Sequence, residues 1–214
     1  MQEYILSENI SGYAGGIAVI EHDPKQVILE QLRTFERSSS DLVAVVREQG
    51  WFIRPVKYTA DLPHGARTAT VRFLKERSIP GYQVHAIAFE DTAGLWWRLF
   101  CLVVQDPAGN WFVGGCSGTA GNTPISRPSS SRPKIILSGD SNGPFYAGGS
   151  VIDDTRLGIA RVRLLSNREL IAEDTVQDDL VVFVSDQSVQ MPIGSEFYNQ
   201  AGEFVSAQQV SFVL

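Results

Sequence analysis

The sequence predicts a mainly β protein with an α+β first part, in which helices near the N-terminus pack on an antiparallel sheet, followed by a β-sandwich. Three observations favour this fold class. An amphipathic stripe precedes residue 36, short β-branched and aromatic runs separated by Gly and Pro follow from residue 51, and a Ser/Pro-rich stretch divides those runs into two groups. The 214 residues suit one large domain or two small ones.

The first helix is predicted to begin at Asp23-Pro24. Asp23 can accept hydrogen bonds from unpaired amides, and Pro24 suits the first helical turn. Apolar residues then follow a 3.6-residue stripe up to Phe35, and a run of serines ends it. A second helix is predicted over residues 41–49, before Gly50, although its valines would suit a strand equally well.

Five strands are predicted for the first domain, residues 1–118. The breaks between them contain the Pro and Gly residues that tight turns need. The hairpin-like spacing indicates a meander covered by the helices on one face. The predicted strands are Trp51–Thr59, Arg67–Lys75, Gln83–Glu90, Leu95–Gln105 and Trp111–Cys116.

Residues 119–133 are predicted to form a polar loop or linker, because Ser, Pro and Gly there leave little apolar surface to bury. Arg127, Arg132 and Lys134 give it local positive charge, so a docking arm is the alternative. The second domain, residues 134–214, contains short strands with Gly, Asn and Asp turns. In architecture it resembles immunoglobulin-like sandwiches, although it lacks their Cys…Trp…Cys pattern, and that resemblance implies no function.

The charge distribution disfavours nucleic acid as a partner. The net charge is −6, and residues 153–214 contain ten acidic and only four basic side chains. An acidic surface repels phosphate backbones. No apolar run approaches the roughly 18 residues of a membrane span, and the first residues do not resemble a signal peptide. We therefore expect a soluble, cytoplasmic protein without a membrane partner.

Two cysteines lie on the arms of one predicted hairpin. If Asp106 pairs with Trp111, then Cys101 and Cys116 are directly opposite, with Cβ atoms about 4.5–5.5 Å apart. One interpretation is a redox-sensitive pair. The other is two buried, reduced thiols that act as small hydrophobic residues.

Catalytic and metal-binding motifs are weak. Gly114–Gly118 surrounds Cys116 like a nucleophile elbow but lacks its final glycine. Because His85 falls in a neighbouring predicted strand, a Cys116–His85 dyad in an interdomain cleft is the enzymatic alternative. The cysteines and the three histidines show no zinc spacing, and no phosphate-binding glycine motif is present. We expect neither a metal nor a cofactor.

Aromatic residues concentrate in the same hairpin. Trp96 and Trp97 must face opposite sides of a strand, and the neighbours on both sides are apolar, with only Arg98 polar. The hairpin is therefore either central, covered on both faces, or it presents Trp96, Trp97, Arg98 and Trp111 to a ligand or partner. We expect a non-enzymatic binding or assembly module that engages a protein partner or a small ligand, with a homo-oligomer as one form of assembly.

Overall fold

A computed structural model describes residues 23–34, 65–120, 132–140, 144–187 and 189–212. Within these ranges the chain forms one α-helix, a 3₁₀ turn at Thr68–Thr70 and twelve strands, so the mainly β prediction is confirmed. In the same ranges, no helix is long and apolar enough to cross a membrane. The elements are α1 (Pro24–Thr34), β1 (Arg72–Ile79), β2 (Tyr82–Glu90), β3 (Trp96–Gln105), β4 (Trp111–Ala120), β5 (Lys134–Asp140), β6 (Phe145–Ile152), β7 (Ile159–Ser166), β8 (Glu169–Thr175), β9 (Leu180–Ser185), β10 (Ile193–Asn199), β11 (Phe204–Gln209) and β12 (Ser211–Phe212).

The predicted start of the first helix is confirmed. Asp23 Oδ1 accepts a hydrogen bond of 3.0 Å from the backbone N–H of Lys25, which satisfies one of the amides that a helix start leaves unpaired. Ile28 and Leu32, one turn apart, are buried. The second predicted helix and the predicted strand Trp51–Thr59 lie outside the described residues.

The first sheet is an antiparallel meander in the order β1-β2-β3-β4. Gly81 and Gly109 adopt positive φ in the turns after β1 and β3, as those tight turns require. The helix α1 covers one face of this sheet, where Ile28 and Leu32 pack with Trp97 and Cys101. The described residues therefore contain one short helix on this face of the meander, rather than the several helices predicted.

Two further sheets pack face to face. The middle sheet has the order β12-β5-β6-β9 and the outer sheet has the order β11-β10-β7-β8; all pairs are antiparallel except β12 with β5. Their shared core contains Phe145, Phe183 and Phe197. The strand β10 is absent from the sequence prediction, because Gly194 and Ser195 weaken its apolar alternation.

The second face of the middle sheet packs against the first sheet, so the layers run α1, first sheet, middle sheet, outer sheet. The ring of Phe100 on β3 lies against Gly148 on β6, where a Cβ atom would overlap the ring. This interface forms one buried cluster, to which the two sheets contribute Val84, Ala86, Phe100 and Leu102, and Tyr146, Leu180, Val182 and Val184.

An ion pair joins the first sheet to the outer sheet. Lys75 Nζ on β1 lies 2.7 Å from Asp174 Oδ2 on β8, and the two side chains are only 8% and 2% exposed. The ammonium group also donates to the carbonyls of Thr175 and Leu180. Asp174 accepts a 2.8 Å hydrogen bond from the N–H of Val182 on β9. Each buried charge is therefore compensated.

Candidate functional site

Three residues with reactive side chains form one row across the first sheet. His85 on β2 pairs with Cys101 on β3, and Cys101 pairs with Cys116 on β4. Directly paired residues project from the same face of a sheet, and here that face is the one beneath α1. The predicted opposition of Cys101 and Cys116 is therefore present, although the register at the turn differs from the predicted one.

The hairpin turn pairs Trp111 with Gln105 rather than with Asp106. If that register continued, Gly115 would face Cys101 and the Cys116 side chain would project from the opposite face. A register shift between Leu102 and Val103 leaves Gly114 as the extra residue on β4 and corrects the offset. The bulge at Gly114 is what brings the two cysteines together.

The two thiols differ in their access to solvent. Cys101 is fully buried, Cys116 is partly buried, and both are free. Hydrogen bonding to Cys116, followed by burial, raises the pKa of Cys101 well above its usual value. Cys101 is consequently a neutral thiol in contact with its neighbour, and Cys116 is the one that solvent can reach.

His85 is 1% exposed and lies close to one side chain on its own strand and one on β1. Its Nε2 lies 3.2 Å from Gln83 Oε1, and its Nδ1 lies 3.6 Å from Glu76 Oε2. Glu76 in turn pairs with Lys25 Nζ on α1 at 2.9 Å. Burial lowers the pKa of His85, and the carboxylate of Glu76 opposes this.

The structure does not bring Cys116 and His85 within hydrogen-bonding reach. Cys101 lies between them in the row, so their backbones are two strand spacings, or about 10 Å, apart. The cleft where the first sheet meets the sandwich has a volume of about 400 Å³, and neither residue lines it. Its walls are mostly polar: Lys25, Phe73, Leu74, Lys75, Glu76, Arg77, Asp174, Thr175 and Gln177.

The aromatic residues of the hairpin are divided between two faces. Trp97 is 3% exposed beneath α1, and its Nε1 donates to Asp91 Oδ2 at 2.8 Å. Trp96 and Arg98 project from the opposite face, where Arg98 donates to Ser150 Oγ at 3.0 Å. Trp111 packs on the helix side at the other end of the hairpin, about 30 Å along the strand from Trp96. The four residues therefore do not form one continuous surface.

A groove beside β11 was not predicted from sequence. It has a volume of about 440 Å³ and is lined by Arg132, Pro133, Leu157 and residues 204–207. Two of its apolar side chains are exposed, Leu157 by 45% and Phe204 by 58%. The uncharged run that begins at Phe204 was the available signal in the sequence, but the groove also needs residues from two distant segments.

The outer face of the same sheet continues from Phe204 as a stack of aromatic and cationic groups. The rings of Phe204 and Tyr198 meet edge to face at 6.0 Å, and the guanidinium of Arg161 lies 4.7 Å from the Tyr198 ring centre. Tyr198 donates a 2.7 Å hydrogen bond to Glu196. Tyrosine and arginine are the residue types that carry most binding energy in protein interfaces.

Among the described residues, β11 is an edge strand that pairs with β10 alone. It contains no charged residue, whereas the edge strands β1 and β8 contain four and three. The edge strand β4 is also uncharged, but it has the Gly114 bulge and lies against α1 and β5. Charges, bulges and covering elements are the usual protections of a sheet edge. β11 has a bulge near Phe204 but no charge.

Within the described part of the chain, no group of three or more His, Cys, Asp or Glu side chains could hold a metal ion. Comparisons of the sequence and structure with family models, with curated proteins and with solved structures gave no match.

Proposed function

We propose that this chain is an assembly module whose β11 strand pairs with the β11 strand of a second copy. The observation that carries the proposal is an uncharged sheet edge next to an exposed Phe204 and a groove that Leu157 and Arg132 also line. Uncharged edges of this kind are templates for strand addition, in which backbone hydrogen bonds supply affinity and neighbouring pockets supply specificity.

Backbone direction along β11 supports the pairing. Val210 donates its N–H to Ile193 on β10, and the register with β10 is regular from Ser206 to Gln209. Because N–H groups alternate in direction along a strand, the N–H groups of Ala207 and Gln209 point away from β10. These groups are placed to bond an added strand.

The sequence of β11 is compatible with itself in an antiparallel pair. If the two-fold axis passes through Gln208, Ala207 of one copy lies opposite Gln209 of the other, so their outward N–H groups can bond each other's carbonyls, and no charged residues of β11 meet. Such an interface is self-complementary and closes at two copies. It would join two outer sheets into one sheet of eight strands.

We also infer that the sandwich is of the immunoglobulin-like type. Supporting this, β5, β6 and β9 take the places of strands A, B and E in one sheet, and β7, β8, β10 and β11 take those of C, C′, F and G in the other. In this assignment β11 is a terminal strand of its sheet.

The enzymatic alternative required Cys116 and His85 within reach of each other in an interdomain cleft. The separation of the two residues by Cys101, and their absence from the lining of the cleft, favour assembly over that alternative.

The test is the mass of the assembly in sedimentation equilibrium, compared between two variants at Ala207. Ala207→Pro removes an N–H that points away from β10, so the ladder within the sheet is kept. Ala207→Thr keeps that N–H and suits a strand. We expect wild type and Ala207→Thr to reach twice the chain mass of 23.5 kDa, and Ala207→Pro to stay monomeric with unchanged circular dichroism. Monomers for all three proteins, or dimers for all three, would overturn the proposal.

A further inference from the structure

We infer that Cys101 and Cys116 form a reversible intramolecular disulfide, which makes the first sheet a site of thiol oxidation. This inference goes beyond the proposed assembly and uses residues in a different sheet. It stands on three features of the hairpin: direct pairing of the two residues, contact between their thiols and unequal access to solvent.

Direct pairing places the two Cβ atoms in the range that a disulfide needs. Facing residues on antiparallel strands have Cβ atoms about 4.5–5.5 Å apart, and a disulfide needs about 3.5–4.5 Å, so a small closure suffices. Without the extra residue at Gly114, the two side chains would lie on opposite faces of the sheet. The bulge therefore positions the pair.

Unequal access defines the order of the reaction. The partly buried Cys116 meets an external disulfide such as oxidised glutathione, while Cys101 is fully enclosed. The Cys116 thiolate attacks one glutathione sulfur, which forms a mixed disulfide and releases the first glutathione as a thiol. Cys101 then attacks the Cys116 sulfur, and the second glutathione leaves as a thiol. Two cysteine thiols are oxidised, one glutathione disulfide is reduced, and the two thiol protons end on the two glutathiones.

The crosslink would join β3 to the edge strand β4 beneath α1. The loop that it closes, residues 102–115, is about 15 residues long, and a crosslink over such a loop stabilises the native state by lowering the entropy of the unfolded chain. The expected rise in Tm is roughly 5–10 °C. The crosslink would therefore hold the edge strand in the sheet.

The experiment exposes native protein to mixtures of oxidised and reduced glutathione, followed by alkylation and intact-mass measurement. For wild type we expect a loss of about 2 Da, no retained glutathione and no alkylation, because the second thiol displaces the first adduct. A peptide linking residues 101 and 116 then identifies the bond. Two free thiols at every ratio, or a stable glutathione adduct, would overturn the inference.

Single variants test the order of attack. Cys101→Ser keeps the accessible thiol and should accumulate the glutathione adduct. Cys116→Ser keeps only the buried thiol and should stay unmodified, yet it should react readily once unfolded in guanidinium chloride. If Cys116→Ser reacts in the native state as fast as Cys101→Ser does, the difference in access is absent and the inference fails.

Discussion

Asp174→Ala tests the junction between the first sheet and the sandwich, because Asp174 holds a buried charge and a backbone amide at once. The substitution removes the partner of Lys75, whose side chain is 8% exposed, and it frees the N–H of Val182. Arg77 lies 4.0 Å from the same carboxylate, but it is largely exposed. The effect should therefore fall on Lys75.

The expected loss of stability in Asp174→Ala has two contributions, the unpaired Lys75 ammonium and the unpaired N–H of Val182. Removing one member of a buried ion pair costs about 3–5 kcal/mol, and leaving a buried N–H without a partner costs about 1–3 kcal/mol. Because both groups share one carboxylate, the losses overlap, and we expect a total of about 4 kcal/mol. Lys75→Met/Asp174→Leu removes both charges and should be less destabilised than Asp174→Ala.

The assay is urea unfolding followed by two probes. Tryptophan fluorescence reports the part of the chain before residue 112, which contains all four tryptophans, and circular dichroism reports all three sheets. Asp186→Ala, at an exposed position, is the charge-matched control and should change stability by less than about 0.5 kcal/mol. A loss below about 1 kcal/mol for Asp174→Ala, or a Lys75→Met/Asp174→Leu variant that is less stable than Asp174→Ala, would show that the buried pair does not stabilise this junction.

Two further substitutions test the packed interfaces of the first sheet. Gly148→Ala places a methyl group against the ring of Phe100 and should lower the free energy of unfolding in urea by about 1–3 kcal/mol. Gly194→Ala is the strand control, because the nearest atom to its added methyl group is 3.9 Å away. Equal losses of stability in the two variants would contradict the close packing at Gly148. Burial lowers the pKa of His85 from 6.5, so the unfolded chain binds this proton at a higher pH than the native chain does. This contribution to stability is full above pH 6.5 and falls as pH drops toward the lower native pKa. Between about pH 7.5 and 5.5, the stability of His85→Gln should depend less on pH than that of the wild type does. An equal pH dependence of stability in the two proteins would contradict a lowered pKa of His85.

Local signals predicted much of the fold. The predicted strands Gln83–Glu90 and Leu95–Gln105 agree with β2 and β3 to within one residue at each end. The Asp178-Asp179 turn has positive φ at both residues, as a two-residue hairpin requires. The order of the layers was harder to predict. The run Leu180–Ser185 is apolar on both faces, which indicates burial on both sides. The sheets that cover it are set by long-range pairing, which local periodicity does not contain.

Local sequence patterns likewise predicted only part of the candidate site. Alternation along the strands placed both cysteines in one hairpin, but their facing positions depend on the Gly114 bulge, which a regular register does not predict. The groove at Phe204 depends on Leu157 and Pro133, which reach it from other parts of the chain. Neither neighbour shares a local sequence pattern with β11.

Amide hydrogen exchange along β11, measured at several protein concentrations, tests the assembly of two copies most directly. We expect the Ala207 and Gln209 amides to become protected as concentration rises, while the Val210 amide, already bonded to Ile193, changes little. Exchange of Ala207 and Gln209 at a rate independent of concentration, in a range where the chain mass doubles, would show that the copies meet elsewhere and contradict the account.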